Sequence, residues 1–305
     1  MRQLSLLVLV LALMSECSKY SVFELSSDLT ESYLAQNLTL KVVTFNIQDT
    51  YVVGKHRPER MQAIAATLCE LDPDIVGFQE SFIYEDRKVL MDRLIKGSRL
   101  KYHQYYPSPV AGSGLLISSA YQIVDKSFHR FEASNPFYKV WEADWWGGKG
   151  VALAKIKLPE DAGILNLYNT HTQADYEKAD YEVVRSNQLS NLAKYVRETK
   201  GNQSPSILIG DMNCLSGDVE FQSLVSEADL MHMMSIDSGL DHIFALRDSL
   251  NAFDVLKTTK IQAEIVVKET VTALSDHLGY MTTLSITPRN KDNQKEQKYA
   301  KLILD

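Results

Sequence analysis

The sequence predicts a single α/β domain in which two stacked sheets are covered by helices on their outer faces. Three observations support this prediction. Short apolar segments with strand-like patterns dominate the chain, and segments with helical spacing are inserted between pairs of them. No long change in composition divides residues 37–288, which indicates one domain. The chain has 305 residues, of which 45% are hydrophobic and 23% are charged, so it has ample material for a core.

Alternating or continuous apolar runs bounded by polar, glycine or proline residues identify the strands in chain order. We expect strands at residues 38–46, 74–80, 114–117, 121–131, 150–158, 163–170, 206–210, 240–246, 262–268 and 278–286. The periodic positions Met61, Ile64, Ala65 and Leu68 typify the helical pattern. Such spacing predicts helices at residues 57–71, 88–95, 177–199 and 219–225. Residues 289–305 form a polar, Lys-rich tail without a packing pattern.

The start of the chain has the pattern of a secretory signal peptide. A short positively charged start precedes an apolar run at Leu4–Met14, which is too short to span a bilayer as a helix. We expect residues 1–17 to be a signal peptide of a secreted protein and residues 18–36 to be a linker. A lipid anchor on Cys17 is the alternative, but Glu16 is unsuited to that processing.

Charge and cysteine content narrow the functional classes. The net charge of −7 and the pI near 5.6 argue against a protein that holds duplex nucleic acid through phosphate contacts. We therefore expect no nucleic-acid partner, and we expect a monomer. After cleavage only Cys69 and Cys214 remain, either as buried free thiols or as a disulfide.

Polar side chains follow the ends of several predicted strands. They lie in Thr44-Phe45-Asn46, Phe78-Gln79-Glu80, Asn169-Thr170-His171, Gly210-Asp211-Met212-Asn213 and Ser275-Asp276-His277. Asp211 and Asn213 are two residues apart on an extended segment, so both side chains can reach one point. Carboxylate and amide oxygens suit Mg²⁺ or Ca²⁺, and imidazoles can accept or donate a proton. Together these groups indicate metal-assisted attack by water on a phosphate ester.

Each of these residues also has a simpler interpretation. A strand followed by an Asx turn would explain Asp211 and Asn213. A single His at a strand end is commonly a hydrogen-bonded surface residue, and a single Glu is commonly a solvated loop residue or a helix cap. The repetition of the pattern at five strand ends favours the functional interpretation.

The same segments, together with Leu240-Asp241-His242-Ile243, resemble the motifs of the endonuclease/exonuclease/phosphatase superfamily, which has the DNase I-like fold. Within it the chain most resembles neutral sphingomyelinases. The segments that carry this second resemblance are Lys55–Arg57 with Arg60, Asp144–Gly150, Thr170–Asp175 and Arg185–Leu189. The resemblance implies a four-layer α/β/β/α sandwich, a catalytic domain at residues 37–288 and a site at the top of both sheets. His242 departs from the pattern, because the family commonly has Tyr there.

The resemblance implies a magnesium site, with Mn²⁺ or Ca²⁺ as alternatives. The residues expected at the metal are Glu80, Asn46, Asp211, Asn213, Asp276 and His277. Glu80 and Asn46 would be the primary ligands, while Asp211 and Asn213 would hold the attacking water, the phosphate or a second cation. The sequence does not decide whether one or two cations bind.

The resemblance also implies the roles in proton transfer. His277 would be the general base, with Asp241 orienting its far ring nitrogen. His171 would assist the leaving alkoxide. Asp211 is the alternative base.

An aromatic segment precedes the glycine-rich stretch that contains Lys149. Its residues are Phe137, Tyr138, Trp141, Trp145 and Trp146. Because Trp and Tyr favour membrane interfaces, this segment is a candidate for contact with a membrane surface, and Lys149 for contact with the lipid phosphate or headgroup. A buried aromatic cluster under a loop is the alternative. Bacterial members of the family that the chain resembles carry an aromatic hairpin just before the last motif. Here Phe253 is the only aromatic residue in 247–274, so we expect that hairpin to be absent or shortened.

These expectations combine into one functional hypothesis. The chain would be a secreted, Mg²⁺-dependent phosphodiesterase of the phospholipase C type that cleaves sphingomyelin into ceramide and phosphocholine. The alternatives are a DNase-like nuclease or phosphoinositide phosphatase on the same fold, and a catalytically silent protein that binds a membrane or a receptor.

Overall fold

The computed structural model of the chain describes residues 34–50, 54–108, 112–132, 148–174 and 179–289. Its strands are β1 (Leu38–Asp49), β2 (Ile75–Ser81), β3 (Tyr102–Tyr105), β4 (Leu116–Ser119), β5 (Ile123–Arg130), β6 (Gly150–Lys157), β7 (Ile164–His171), β8 (Ser206–Asp211), β9 (Leu230–His232), β10 (Asp241–Leu246), β11 (Asn251–Ile261), β12 (Glu264–Val267), β13 (Thr270–Ala273) and β14 (Gly279–Pro288). Its helices are α1 (Arg57–Leu71), α2 (Tyr84–Gly97), α3 (Ala179–Thr199) and α4 (Val219–Glu227).

Two mixed sheets of six strands and a separate β12–β13 hairpin contain the strands of the described residues. The first sheet has the order β11-β14-β1-β2-β4-β3, and the second has the order β5-β6-β7-β8-β10-β9. β1 and β2 are parallel neighbours, as are β7 and β8. Asn46 therefore lies opposite Gln79, and His171 lies opposite Asp211. The polar ends of these four strands consequently reach the same end of the molecule.

The two sheets enclose an apolar core, and helices cover their outer faces. Ile75 of the first sheet and Ile209 of the second belong to the buried cluster between the sheets. Helices α1 and α2 pack on the outer face of the first sheet, while α3 and α4 pack on that of the second. This arrangement confirms the predicted four-layer α/β/β/α sandwich of the DNase I-like type.

Burial on both faces explains why the central strands could be recognised from their residues. Strands covered by a sheet on one face and helices on the other need apolar side chains at successive positions. Ile75, Val76 and Phe78 of β2 are fully buried. In α1 the side chains that face the sheet are Met61, Ile64, Ala65 and Leu68, all of them fully buried. The predicted bounds of α1 and its buried face are therefore confirmed.

The strand prediction fails at the edge of the first sheet. β11 occupies Asn251–Ile261, where no strand was expected, and it pairs with β14 along its whole length. Charged and polar residues interrupt its apolar positions because one side of an edge strand faces solvent. The strand expected at residues 262–268 is present as the shorter β12 (Glu264–Val267). It pairs with β13 in a hairpin and belongs to neither six-stranded sheet.

The short β12–β13 hairpin directly precedes the Ser275–His277 segment, which agrees with the expectation that an aromatic hairpin is absent or shortened there. The hairpin contains no aromatic residue. Val266 and Val271 are exposed at its surface.

The two cysteines of the described residues, Cys69 and Cys214, are both free thiols. None of the helices in the described ranges is long and apolar enough to cross a membrane.

Candidate active site

The amide of Asn46 joins the two sheets at the polar end of the core. Its Nδ2 donates to Glu80 Oε1 over 3.1 Å and to Asp211 Oδ2 over 3.0 Å. Its Oδ1 accepts from the backbone N–H of Gln48. The predicted metal ligand Asn46 thus presents its amide nitrogen, and not its oxygen, to the two carboxylates. An oxygen ligand at this position requires the amide to rotate by half a turn, because the two ends of the amide have opposite hydrogen-bonding roles.

Two residues of the site, Glu80 and Asn213, have unusual backbone angles. Glu80 has φ of 57° and Asn213 has φ of 50°, in the left-handed region that non-glycine residues seldom adopt. Asn213 donates its backbone N–H to Asp211 Oδ1 and its Nδ2 to Thr172 O. Burial raises the pKa of Glu80, while the positive charge of Lys149 opposes that shift. Strained conformations of this kind concentrate at functional sites.

His277 and Asp241 form a hydrogen-bonded pair beside Asp211. The Nδ1–H of His277 donates to Asp241 Oδ2 over 2.8 Å, and His277 Nε2 lies 3.7 Å from Asp211 Oδ2. Burial, followed by the charge of Asp211, raises the pKa of Asp241 to about 7. Burial alone would lower the pKa of His277, but the hydrogen bond to Asp241 and the charge of Asp211 outweigh it and raise that pKa to about 10. His277 is therefore protonated at neutral pH in this arrangement, so a role as base requires a change in the surrounding charge.

His171 lies against a buried lysine that the sequence did not pair with it. Lys149 Nζ is 2.9 Å from His171 Nε2, and this nitrogen is also 3.5 Å from Asp211 Oδ2 and 4.0 Å from Glu80 Oε1. Burial and then the charge of Lys149 hold the pKa of His171 well below its ordinary value. The neutral ring accepts at Nε2 from the Lys149 ammonium in this arrangement. The role of His171 at the leaving alkoxide stays a prediction. Lys149, expected to meet the lipid headgroup, is buried within the site.

The Ser275–His277 segment is tied to the end of β1. Ser275 Oγ donates to the carbonyl of Asn46 over 2.7 Å and accepts from the backbone N–H of His277. Asp276 is exposed at the rim and accepts from Gln48 Nε2 over 2.7 Å. Sequence reasoning assigned no role to Gln48 or Ser275, although both lie within two residues of a predicted site residue.

The donor set fits a hard divalent cation. One ligand atom from each of Asp211, Asp241 and His277 lies within 4.8 Å of the other two. Asp241 Oδ1 is buried without a hydrogen-bond partner, and Asn46 holds the carboxylates of Glu80 and Asp211 close together. Carboxylate oxygens in such a group suit Mg²⁺. Glu80 and Asp211, whose carboxylates Asn46 brings together, would hold the cation, while Oδ1 of Asp241 stays available beside the His277 hydrogen bond at Oδ2.

The structure brings the predicted catalytic and metal-binding residues together, whereas the aromatic residues predicted to contact a membrane lie outside the part of the chain that it describes. The residues that converge are Asn46, Glu80, Lys149, His171, Asp211, Asn213, Asp241, Asp276 and His277. The aromatic residues Phe137, Tyr138, Trp141, Trp145 and Trp146 lie outside the described residues.

Comparison with known proteins gives the family. Residues 43–277 match the model of the Endonuclease/Exonuclease/phosphatase family, which is more than half of the chain. The chain belongs to this family. Each of the converging residues lies inside the matched range.

Two curated relatives and two solved structures illustrate the likeness. A putative neutral sphingomyelinase of Drosophila melanogaster is 33% identical over 205 residues, covering 66% of this chain and 45% of that protein. An inositol phosphosphingolipids phospholipase C of Schizosaccharomyces pombe is 33% identical over 177 residues, covering 57% of this chain and 41% of that protein. The match thus spans less than half the length of either relative.

Among solved structures, beta toxin of Staphylococcus aureus has a TM-score of 0.65 at 19% identity, covering 80% of this chain and 99% of that chain. A mutant of the same toxin, with a TM-score of 0.63 and 17% identity, contains bound magnesium ions and covers 80% of this chain and 99% of its own. At these identities the likeness concerns the fold.

Proposed function

We propose that this chain is a Mg²⁺-dependent phosphodiesterase that cleaves sphingomyelin into ceramide and phosphocholine. The observation that carries the proposal is the convergence of Glu80, Asp211 and the Asp241–His277 pair at one point between the two sheets. Acid–base groups and carboxylates in this arrangement support attack by water on phosphorus. The putative neutral sphingomyelinase among the relatives supports the choice of substrate.

The residues of the chain divide the work of this reaction. A cation held by Glu80 and Asp211 would supply positive charge that polarises the phosphoryl oxygens. Asp241 fixes the ring of His277 through Nδ1, which leaves Nε2 on the side of Asp211 to take a proton from water. Neutralisation of the charge on Asp211 removes one cause of the raised pKa of His277. Lys149 would stabilise negative charge on the phosphate.

A second candidate substrate is an inositol phosphosphingolipid. The observation that favours it is the 33% identity to the inositol phosphosphingolipids phospholipase C, which equals that to the putative neutral sphingomyelinase. Both reactions break the bond between a ceramide oxygen and phosphorus, so the site described above would serve either headgroup. Secretion, membrane contact through the aromatic segment and a monomeric state belong to the same proposal.

A panel of substrates in vesicles or solution tests the proposal. Purified protein is incubated with sphingomyelin, an inositol phosphosphingolipid, phosphatidylcholine, a phosphoinositide and plasmid DNA, with Mg²⁺ and then with excess EDTA. We expect phosphocholine release from sphingomyelin that EDTA abolishes. Cleavage of DNA or of the phosphoinositide in its place would reassign the chain within the family, and no turnover of any substrate would favour a silent binding protein.

A further inference from the structure

A buried amide links the two sheets directly beneath the site. Asn169 is fully buried on β7, two residues before His171. Its Nδ2 donates across the interface to Phe78 O over 3.0 Å and to Leu116 O over 3.3 Å. Its Oδ1 accepts from Gln79 Nε2 over 2.7 Å. One side chain of the second sheet is therefore hydrogen-bonded to three groups of the first.

The first sheet is shaped to receive this amide. A Cβ atom on Gly77 would lie 3.0 Å from Asn169 Cγ and 2.4 Å from Ile209 Cδ1, so only glycine leaves room for both side chains. The fully buried amide of Gln79 also hydrogen-bonds Thr44 Oγ1 over 3.2 Å. The polar groups of this cluster thus satisfy one another within an apolar interface, which avoids the large cost of an unpaired buried amide.

The cluster lies next to the ends of β2, β7 and β8, which carry Glu80, His171 and Asp211. Gln79 precedes Glu80 on β2, and Asn169 lies opposite Ile209, two residues before the facing pair His171 and Asp211. Two short contacts above it cross between the same sheets. They are the hydrogen bond from Asn46 to Asp211 at 3.0 Å and the 4.0 Å approach of His171 to Glu80.

Apolar packing alone does not fix how two sheets lie against each other, because the hydrophobic effect is non-directional. Hydrogen bonds weaken steeply outside a narrow range of distance and angle. An amide bonded to two carbonyls and one donor of the facing sheet therefore sets both the separation and the alignment of the sheets at that point.

We propose that Asn169 is a positioning residue that, with Gln79, sets the spacing of the two sheets beneath the site. This spacing keeps the carboxylate of Glu80 and the amide of Asn46 within reach of Asp211 and His171. The inference rests on the proposed function, since it assigns to a buried amide the geometry on which that chemistry depends.

Asn169→Asp is the principal test, since it keeps the shape of the side chain and removes both donated hydrogen bonds. Asn166→Asp is the matched control. Asn166 is a buried asparagine of the same strand, and its Nδ2 donates to Lys200 O and Ser206 Oγ at the far end of the second sheet. We expect kcat of folded Asn169→Asp to fall about 10–100-fold, the usual effect of removing a group that orients a site, with KM nearly unchanged. Asn166→Asp should lower the melting temperature and leave kcat unchanged. Equal kcat for the two variants would overturn the proposal.

Gln79→Met keeps the experiment informative if Asn169→Asp does not fold. It removes one of the three inter-sheet hydrogen bonds of Asn169 and leaves the two donated to Phe78 O and Leu116 O. We expect a fall in kcat smaller than that of Asn169→Asp and a melting temperature closer to that of the wild type. A variant with wild-type kcat would contradict the role of the pair.

A crystal structure of the variant separates this proposal from the proposed function. We expect the Asn46 Nδ2 to Asp211 Oδ2 distance to lengthen beyond hydrogen-bonding range in Asn169→Asp or Gln79→Met. An unchanged distance would refute the positioning role whatever the substrate is. A wild-type protein that cleaves no phosphodiester would refute the proposed function and leave this structural test intact.

Discussion

The pairing of Asp241 with His277 makes a prediction that can be followed atom by atom. Asp241→Asn keeps the shape of the side chain but removes the charge that faces His277 Nδ1 at 2.8 Å. A hydrogen bond to a charged group contributes about 1.5–3 kcal/mol, and one pKa unit corresponds to about 1.4 kcal/mol. The pKa of His277, raised to about 10, should therefore fall by about 1–2 units in the metal-free variant.

The measurement is an NMR titration of the His277 ring in metal-free protein, combined with kcat as a function of pH. The amide that replaces the carboxylate can also donate to the ring and select the wrong tautomer, so we expect kcat to fall by about 10²–10⁴. Asp254→Asn, an exposed change on β11, is the control and should alter neither quantity. If Asp241→Asn titrates and turns over like the wild type across the pH range, the pair has no role and Asp211 becomes the better candidate for the base.

The same pair predicts the sign of a stability change. The folded pKa of His277 lies above its ordinary value of 6.5, so its contribution to stability is fully present below pH 6.5 and is lost as pH rises towards 10. The raised pKa of Asp241 acts in the same direction between 3.8 and about 7. The wild type should therefore have its largest stability advantage over Asp241→Asn at low pH. Urea unfolding of both proteins from pH 5 to pH 10 measures it, and an advantage that grows with pH would contradict the argument.

Three further predictions test other parts of the molecule. Glu80→Ala should nearly abolish turnover and leave the Mg²⁺ requirement unsaturable without unfolding the protein, and near-native turnover at ordinary Mg²⁺ would remove Glu80 from the metal. Burial lowers the pKa of His242 to about 4, so the protein should lose stability as pH falls from 6.5 towards 4. In thermal melts, His242→Tyr should reduce this dependence on pH. An equally steep loss of stability in the variant would mean that another group causes it. Trp145→Ala with Trp146→Ala should weaken vesicle binding about 100-fold or more, since each buried side chain contributes roughly 1.5–3 kcal/mol, while hydrolysis of a short-chain soluble analogue persists. If the double variant loses vesicle binding and soluble-analogue hydrolysis and also melts at a lower temperature, these tryptophans belong to the core.

The parts of the fold that could be predicted are those whose chemistry is local. Strands β2 and β8 are buried on both faces, so their apolar runs marked them, and the polar residues at their ends marked the site. β11 was not predicted because charged and polar residues are mixed with apolar ones along this edge strand. Nothing in its own sequence shows that β14 is its partner. This miss arises because the contacts that decide the strand lie outside the segment itself.

Within the site, the sequence indicated which residues take part, but it did not indicate which side chains contact each other. Lys149 meets His171 because Gly150 pairs with His171 across β6 and β7, a register that no local pattern contains. The consequence is chemical, since His171 accepts a hydrogen bond from an ammonium group in this arrangement. Asn46 presents its nitrogen to Glu80 and Asp211 for a similar reason, because two carboxylates from different sheets converge on it. Residue type therefore limits what a side chain can do, and the approach of the two sheets decides which of those roles it takes.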